Sequence, residues 1–256
     1  MSKTRLTFLG TGTSQGVPMI GCGCKVCSST DPRDKRLRAS VYVEHEGLRI
    51  LVDAGPDFRQ QMLREGISGV DAILLTHNHK DHTGGLDDIR AFNYIEKKAT
   101  QIYCEKYVED SLRMEYSYAF AENKYPGAPD WDVHLIDDNP FSINGVEIIP
   151  IRGKHFRLPV LGYRFGNIAY CTDMNHIPDE QFEKLRNLEH FVINCVRRGR
   201  HISHFSLEGA LEVAARVGAR HTWLTHLSHQ LPVYEELSAE LPENIHPAYD
   251  GLEIFE

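Results

Sequence analysis

The sequence predicts an α/β sandwich of mixed β-sheets and helices, on the basis of three observations. Short strand-like apolar runs recur along the whole chain, and amphipathic helical stretches lie between them. Two pairs of these runs are joined by Asn144-Gly145 and by Gly166-Asn167, which are turn dipeptides typical of β-hairpins. A doubly wound fold with only parallel strands does not need hairpins, so the pattern favours sheets of mixed direction.

The predicted elements follow one another at short intervals, and turn residues separate them. In chain order the predicted strands are residues 5–9, 41–43, 48–52, 72–75, 102–104, 133–136, 141–143, 146–151, 162–165, 168–171, 191–194 and 222–224, with a last pair around Asp250-Gly251. The predicted helices are residues 57–65, 86–97, 106–118, 179–188, 207–217 and 233–241. The strongest helical pattern is 207–217, where apolar residues repeat on one face between the N-cap Ser206 and the terminating Gly218.

The composition is that of an ordinary globular chain. Hydrophobic residues make up 41% and charged residues 25% of the 256 residues, and we expect a single domain over residues 1–256. The 28 Lys and Arg against 36 Asp and Glu give a net charge of −8, which argues against stable nucleic-acid binding. The longest apolar runs, such as residues 72–75, fall far short of the ~20 residues that span a membrane.

The first nine residues carry charges but no continuous apolar segment behind them, so we expect no secretory leader. The predicted localisation is therefore cytoplasmic, with no membrane partner. The oligomeric state stays open, and a homodimer is one option.

The most informative segment reads HNHKDH and directly follows the predicted strand 72–75. Alternation along an extended chain places His77 and His79 on one side, and the following turn lets Asp81 and His82 face a second position. Imidazole and carboxylate ligands together suit metals such as zinc, manganese or iron. The alternative, a polar surface loop, does not explain why three histidines and an aspartate gather at the end of a buried strand.

Three further side chains of ligand type lie just after predicted strands. His155 follows 146–151, Asp173 follows 168–171 and His226 follows 222–224, each shortly past the end of its strand. Such positions at strand ends commonly carry functional side chains on a rigid scaffold. His221 precedes its strand, so we place it at the opposite edge. The remaining candidates are assigned to surface or core roles: His45, His134, His190 and His246.

These residues resemble the metallo-β-lactamase-fold hydrolases. The resemblance runs through the whole chain in the same order, including the opening Gly10-Thr11-Gly12 and the segment 51–56. It implies a four-layer αββα sandwich of two mixed sheets flanked by helices, with two divalent ions (zinc or manganese) at one edge. By this resemblance the first metal is held by His77, His79 and His155. The second metal is held by Asp81, His82 and His226, and Asp173 bridges the two.

A second motif narrows the resemblance to one branch. The segment 12–18 (GTSQGVP), followed by the cysteine loop 22–27, is similar to phosphoribosyl 1,2-cyclic phosphate phosphodiesterases. That similarity implies one structural zinc held by Cys22, Cys24, Cys27 and His229. Three cysteines and one histidine form a closed tetrahedral set that suits structural zinc. The alternative is three free thiols and an unrelated histidine. The other cysteines, Cys104, Cys171 and Cys195, lie singly in apolar segments and are expected to be buried.

His204 lies just before the helix 207–217, where related phosphodiesterases carry a histidine. It could contact a substrate phosphate or protonate a leaving oxygen, with His201 or a simple capping role as alternatives. The neighbouring cations make this region locally basic, which suits an anionic ligand: Arg197, Arg198 and Arg200.

The resulting functional prediction is a metal-dependent phosphodiesterase acting on a small cyclic or diester phosphate. Two metals lower the pKa of a shared water, and the metal-bound hydroxide attacks phosphorus while Asp81 orients it. His204 stabilises or protonates the departing oxygen. A thioester or lactam hydrolase on the same scaffold is the alternative, and a non-catalytic cofactor-biosynthesis protein is a third option. The aromatic segment 113–131 is either a cover over the pocket or core packing.

Overall fold

The structure, a computed structural model, describes residues 4–256 and contains two seven-stranded sheets within that range. The strands are β1 (Arg5–Gly10), β2 (Ser40–His45), β3 (Leu48–Val52), β4 (Ala72–Leu74), β5 (Thr100–Cys104), β6 (Trp131–Leu135), β7 (Phe141–Ile143), β8 (Val146–His155), β9 (Leu158–Phe165), β10 (Ile168–Cys171), β11 (His190–Asn194), β12 (His221–Thr225), β13 (Ile245–Pro247) and β14 (Glu253–Phe255). The α-helices are α1 (Phe58–Glu65), α2 (Lys80–Thr83), α3 (Arg90–Glu96), α4 (Lys106–Glu115), α5 (Leu207–Val217) and α6 (Tyr234–Glu240).

Both sheets mix parallel and antiparallel pairing, as the hairpin signals predict. The first sheet has the order β14-β1-β2-β3-β4-β5-β6 and is parallel from β3 to β6. The second has the order β13-β12-β11-β10-β9-β8-β7 and is parallel from β10 to β13. Since β8 and β10 are both antiparallel to β9, β8 runs in the same direction as β10. The carboxyl ends of β8, β10 and β12 therefore lie at one edge of the second sheet.

Three apolar cores separate four layers, which confirms the αββα sandwich. Between the sheets, Leu74 of β4 and Tyr163 of β9 belong to one fully buried cluster. Burying an apolar side chain of this size contributes about 2 kcal/mol. On the outer face of the first sheet, Met62 of α1 and Leu112 of α4 pack against it. On the outer face of the second sheet, Leu207 of α5 takes the same position.

Local sequence signals predict the bounds of several elements correctly. For two predicted helices, however, they give the wrong helix type. The helix 207–217 has its predicted bounds, because the Ser206 hydroxyl accepts a hydrogen bond from the Gly209 amide and Gly218 ends it at φ +64°. The predicted helix 86–97 is divided into a 3-10 turn, Leu86–Ile89, and α3. The predicted helix 179–188 is a 3-10 helix, Asp179–Leu185. In both cases tertiary packing overrides a helical pattern that specifies the buried face but not the pitch.

Strand β8 is longer than predicted, and this corrects the position of His155. The prediction ends the strand at residue 151 with His155 in the following loop, whereas β8 continues to His155 itself, paired with Leu158. Gly153 allows the extension, because a Cβ there would lie 2.3 Å from the Met174 sulfur. His155 is thus fixed on a strand rather than on a loop.

The aromatic segment 113–131 packs into the outer core where its side chains are buried. The Tyr116 and Trp131 rings contact edge to face at 5.3 Å. The Tyr116 hydroxyl also donates to the carbonyl of Thr83 in α2 at 2.9 Å. Core packing is therefore the correct alternative for these two residues, while Tyr125 is 77% exposed.

No helix within residues 4–256 is long and apolar enough to cross a membrane. Residues 1–3, part of the segment in which we expect no leader, lie outside the described residues.

Candidate metal centre

One edge of the sandwich gathers all seven predicted active-site ligands. Strand β4 leads into His77 and His79, and α2 carries Asp81 and His82. The other three come from the second sheet, at the ends of β8, β10 and β12: His155, Asp173 and His226. The ends of these strands therefore bring the side chains together, as we expect from their positions just after strands in the sequence.

The seven side chains form two groups, which we call together the histidine–aspartate cluster. In the first group, ligand atoms of His77, His79 and His155 lie within 4.8 Å of one another. In the second group the same limit holds for Asp81, His82, Asp173 and His226. Asp173 also lies within this distance of His155, so its carboxylate stands between the two groups.

Within the second group, nitrogen and carboxylate oxygen atoms face a common centre. The Nε2 atom of His82 lies 3.2 Å from Asp173 Oδ2 and 3.3 Å from Asp81 Oδ2. The Nε2 atom of His226 lies 3.1 Å from Asp173 Oδ1. Imidazole and carboxylate atoms at such separations can share one divalent ion.

Several of these buried nitrogens have no hydrogen-bond partner among residues 4–256. They are Nε2 of His77, Nε2 of His82 and both ring nitrogens of His226. Buried polar atoms in native proteins are almost always satisfied, so several unsatisfied ones at a single point require a common explanation. A neutral imidazole nitrogen is a common metal ligand, and the residues present therefore fit a metal centre.

Supporting hydrogen bonds orient the ligand rings. The Nδ1 atom of His82 lies 2.6 Å from Asp53 Oδ2, and Asp53 accepts further bonds from the amide and hydroxyl of Thr76. The Nδ1 atom of His155 lies 2.8 Å from the Ser203 carbonyl. A ring that donates through Nδ1 keeps the Nε2 lone pair free for a metal, as is typical of metal-binding histidines.

Sequence reasoning missed the role of Asp53. The residue comes directly after β3, which is the parallel neighbour of β4, so its carboxylate reaches the same edge as the HNHKDH segment. A signal was available in the sequence, namely a charged residue between the buried strand β3 and Ala54-Gly55. Its backbone has φ +64°, and Asp173 and His226 have φ +56° and +54°. Such left-handed conformations are uncommon outside glycine and concentrate at functional sites.

The charges of the cluster are mutually dependent. Burial, together with the neighbouring His82, lowers the pKa of His77 well below its ordinary value. Burial also opposes charge on His82 and His226, but the carboxylates, Asp173 foremost, outweigh it and raise both pKa values, that of His226 to about 9. Fully buried Asp173 keeps a pKa well below the ordinary value because His226 and His82 favour its charged form. Buried carboxylates thus offer negative charge to cations at this edge.

His204 rather than His201 contacts the histidine–aspartate cluster. Its ring stacks on His226 with centroids 4.6 Å apart, and its Nδ1 atom lies 3.6 Å from Asp173 Oδ1. His201 lies next to it, with ring centroids 5.0 Å apart. Burial and the neighbouring His226 lower the pKa of His204 to about 3, so the ring is neutral at neutral pH.

A second group of ligand atoms, the cysteine cluster, combines Cys22, Cys24, Cys27 and His229 within 4.8 Å of one another. The Nδ1 atom of His229 lies 3.3 Å from Cys22 Sγ and 3.4 Å from Cys24 Sγ. Hydrogen bonding, first from the Cys27 amide and then from His229, lowers the pKa of Cys24 to about 6, which favours the thiolate. The other three cysteines, Cys104, Cys171 and Cys195, are buried, as predicted.

The remaining histidines lie away from both clusters. His221 begins β12, at the opposite edge from His226, and its ring stacks on His190 at the start of β11. His190 also bonds to the Phe255 carbonyl at 3.0 Å. Buried His45 pairs with the Thr4 hydroxyl. These positions agree with the roles assigned to them from the sequence.

Two cavities open on either side of His201 and His204, and both residues line each of them. The larger has a volume of about 1040 Å³ and includes Arg197 and Arg200 in its wall. The smaller, of about 430 Å³, is walled by the polar segment 13–16 and reaches both His226 and His229. Arg198 does not line either cavity and pairs with Glu240 instead, so only two of the three arginines bear on the site.

Comparisons with known proteins agree with this arrangement. Residues 48–227 match the sequence family described as the beta-lactamase superfamily domain. A crystal structure of a diphosphatase from the PhnP family is 40% identical, with a TM-score of 0.93, and the match covers 100% of this chain and 98% of that one.

Two further relatives differ in how much they share with this chain. An octanoyltransferase of Porphyromonas gingivalis is 44% identical over 97% of this chain, but the chain spans only about half (51%) of that protein's length. Zinc-bound PqqB of Methylobacterium extorquens is 19% identical with a TM-score of 0.77, over 98% of this chain and 99% of that one, and shows a shared fold.

Proposed function

The chain belongs to the β-lactamase superfamily and, within it, to the PhnP family, and from this premise we propose a metal-dependent phosphodiesterase. Its substrate is a small molecule with a phosphodiester or diphosphate linkage. The observation that carries the proposal is the convergence of seven ligand side chains, with His204 and two unpaired arginines beside them. The similar diphosphatase supports phosphorus as the reacting centre.

In this proposal the histidine–aspartate cluster holds two divalent ions, zinc or manganese. His77, His79 and His155 would hold one, and Asp173 stands between the two groups of ligands. The other is held by Asp81, His82 and His226. When bound, the ions polarise the phosphoryl oxygens and lower the pKa of a water molecule. The cysteine cluster holds a separate structural zinc.

The chain's own residues then have distinct roles. Asp53 fixes the His82 ring through Nδ1, and Asp81 accepts a hydrogen bond from the attacking water. Water adds to phosphorus, the bond to the leaving oxygen breaks, and that oxygen takes up a proton. His204, neutral and beside Asp173, donates a hydrogen bond that stabilises the leaving oxygen, and that oxygen takes its proton from water.

A substrate comparison tests this function. Protein loaded with zinc or manganese is assayed on bis-p-nitrophenyl phosphate, a diphosphate diester, a cyclic ribose phosphate and an acyl thioester. We expect hydrolysis of phosphate esters or diphosphates that is lost with a chelator and returns with metal. A thioester cleaved faster than every phosphorus compound would overturn the proposal.

The second candidate is an acyl thioester hydrolase, and the octanoyltransferase of P. gingivalis is the observation in its favour. That name describes a protein about twice as long as the matched region, so the acyl transfer can belong to the other half. The wall of the larger cavity also contains Glu208 and Glu212, but its two arginines have no carboxylate within 4.0 Å among residues 4–256, which favours an anionic substrate over a neutral thioester.

A further inference from the structure

The larger cavity has an apolar rim that the proposed hydrolysis does not use. Phe156 at the tip of the β8–β9 hairpin and Ile202 in the loop after β11 both line it. The two side chains are 49% and 66% exposed. Large apolar side chains exposed beside a reaction centre are typical of surfaces that receive an apolar or planar part of a ligand.

Asn175 fixes the two sides of this rim relative to each other. Its Oδ1 atom accepts a hydrogen bond from the Phe156 amide at 2.9 Å, and its Nδ2 atom donates to the Ile202 carbonyl at 3.1 Å. The Asn175 amide in turn donates to the Lys154 carbonyl at 2.8 Å. The rim is therefore held at a set width by one side chain that also lines the cavity.

The same cavity carries cationic side chains that lack an acidic partner. Among residues 4–256, Arg197 and Arg200 have no carboxylate within 4.0 Å, whereas nearby Arg198 pairs with Glu240. Arg197 donates to the Arg200 carbonyl at 2.9 Å, which ties the two arginines into one loop. Since Glu208 of the wall bonds the Gly199 amide, its charge faces this loop. Unpaired guanidinium groups with planar donors suit a phosphate.

We propose that this cavity binds the nucleoside phosphate half of a nucleoside 5′-diphosphate ester. The base packs between Phe156 and Ile202, and the phosphate next to the nucleoside lies against Arg197 and Arg200. The other phosphate reaches the histidine–aspartate cluster past His204. The inference rests on the proposed function, and it names the class of substrate that this function acts on.

The two cavities differ in the polarity of their walls, and this difference determines which part of the substrate each of them receives. The smaller one is walled by Thr13, Ser14 and Gln15 and lacks an exposed aromatic ring among its described lining residues, so it suits a polar group such as a sugar. A simple cyclic ribose phosphate would fill neither the apolar rim nor the volume of about 1040 Å³. Ligand pockets of about 300–1000 Å³ accept molecules of nucleotide size.

A matched pair of substrates tests the subsite. The metal-loaded enzyme cleaves P1-adenosine P2-methyl diphosphate and P1,P2-dimethyl diphosphate at the same bridge, and both reactions are followed by phosphorus NMR. Water adds to one phosphorus, and the bridging oxygen leaves with the other phosphate. We expect kcat/KM for the adenosine ester to exceed that for the dimethyl ester by about 100-fold, because only the adenosine ester has a base that can stack on the rim.

Variants of the rim assign the preference to particular residues. Phe156→Ala should lower the ratio of the two kcat/KM values about tenfold, and Phe156→Trp should restore it, because base stacking needs an aromatic face. Arg200→Gln should lower kcat/KM for both diphosphates about tenfold more than it lowers kcat/KM for bis-p-nitrophenyl phosphate, which has only one phosphate. The matched controls are Tyr125→Ala, an exposed aromatic residue outside the cavities, and Arg198→Gln. Neither control should change the ratios.

The outcomes separate the inference from the function. Equal kcat/KM on the two diphosphates, or a ratio that Phe156→Ala leaves unchanged, overturns the subsite while the hydrolase stands. If none of the phosphorus compounds is cleaved, including bis-p-nitrophenyl phosphate and the cyclic ribose phosphate, the proposed function fails. Calorimetry with adenosine 5′-diphosphate then tests the subsite alone: weaker binding by Phe156→Ala supports it, and no binding by the unaltered protein overturns it.

Discussion

The histidine–aspartate cluster and the cysteine cluster offer similar ligand atoms, but the fold supports them differently. The first lies at the ends of strands from both sheets, and its rings are oriented by buried partners such as Asp53. The three cysteines of the second lie in a segment between Gly10 and Pro32 that contains neither helix nor extended strand, and His229 follows β12. Only a small apolar group, including Val17 and Val26, packs beneath it.

This difference suggests opposite relations between metal and fold. Side chains on strands stay in place without a metal, so a metal there adds reactivity. A loop of some twenty residues without regular structure is uncommon in a compact domain unless a function or a ligand organises it. We therefore expect removal of the active-site metals to reduce turnover, and removal of the cysteine-bound zinc to reduce stability.

Asp81→Ala should have the largest effect on turnover. The carboxylate faces both His82 and His226, so its loss removes a metal ligand and the partner of the attacking water. We expect kcat to fall about 1000-fold or more, with a much smaller change in KM, because the group acts mainly in the transition state. Steady-state kinetics and elemental analysis measure this. The control Asp179→Ala removes an exposed carboxylate that pairs with Arg216 and should leave kcat unchanged.

His204→Ala should come next, with a fall in kcat of about 100-fold on substrates with an alkoxide leaving group. The metal content should stay unchanged, because His204 stacks on His226 but is not needed to complete either ligand group. The loss should be smallest with p-nitrophenolate, which leaves without a proton. Release of metal from the variant, measured by elemental analysis, would instead identify His204 as a ligand.

The ligands of the histidine–aspartate cluster can be predicted well from the sequence, for a physical reason. The HNHKDH segment is local, and His155, Asp173 and His226 follow recognisable strands, so the common edge of the sheets brings them together. Asp53 also follows a buried strand, but a single aspartate in that position does not indicate which side chain it supports. Only the parallel pairing of β3 with β4 gives it a role.

The cavity walls were beyond sequence reasoning. Phe156 and Ile202 are far apart in the chain and line the same cavity, where Asn175 bonds to both loops. The predicted end of β8 at residue 151 also placed His155 in a loop, because Phe156-Arg157, which joins β8 to β9, is not a typical turn dipeptide. The resemblance supplied the cysteine ligand set, and the structure places those four side chains together. Whether zinc occupies them stays a prediction.

Asp53→Asn tests whether the buried support of the first cluster matters as much as its ligands. The asparagine side chain can still accept the hydrogen bond from His82 Nδ1, but it carries no negative charge. The His82 ring is therefore held and polarised less strongly. Loss of such a supporting group typically costs 10–100-fold in metal affinity or activity, and we expect about that here. Metal titration and kcat measure the two effects. Asp71→Asn, which breaks a surface pair with Arg49, is the control and should change neither.

Cys24→Ser should have the smallest effect on the turnover of folded protein and the clearest effect on stability. Cys24 contacts His229, and His226, three residues before His229, belongs to the histidine–aspartate cluster. The cysteine loop is therefore held against the end of β12, the strand that positions His226. We expect about one zinc fewer per chain and a loss of about 3 kcal/mol in unfolding free energy, which lowers Tm by about 6–12 °C. Activity should fall only with the folded fraction, because the strand ends hold His226 by themselves. Cys195→Ala, a buried thiol outside the cluster, is the control and should retain the zinc.

Manganese reconstitution sharpens the test, since three thiolates hold zinc far better than manganese. Zinc should persist in the protein while manganese fills the active site, and fully active, fully folded protein without zinc would refute the structural site.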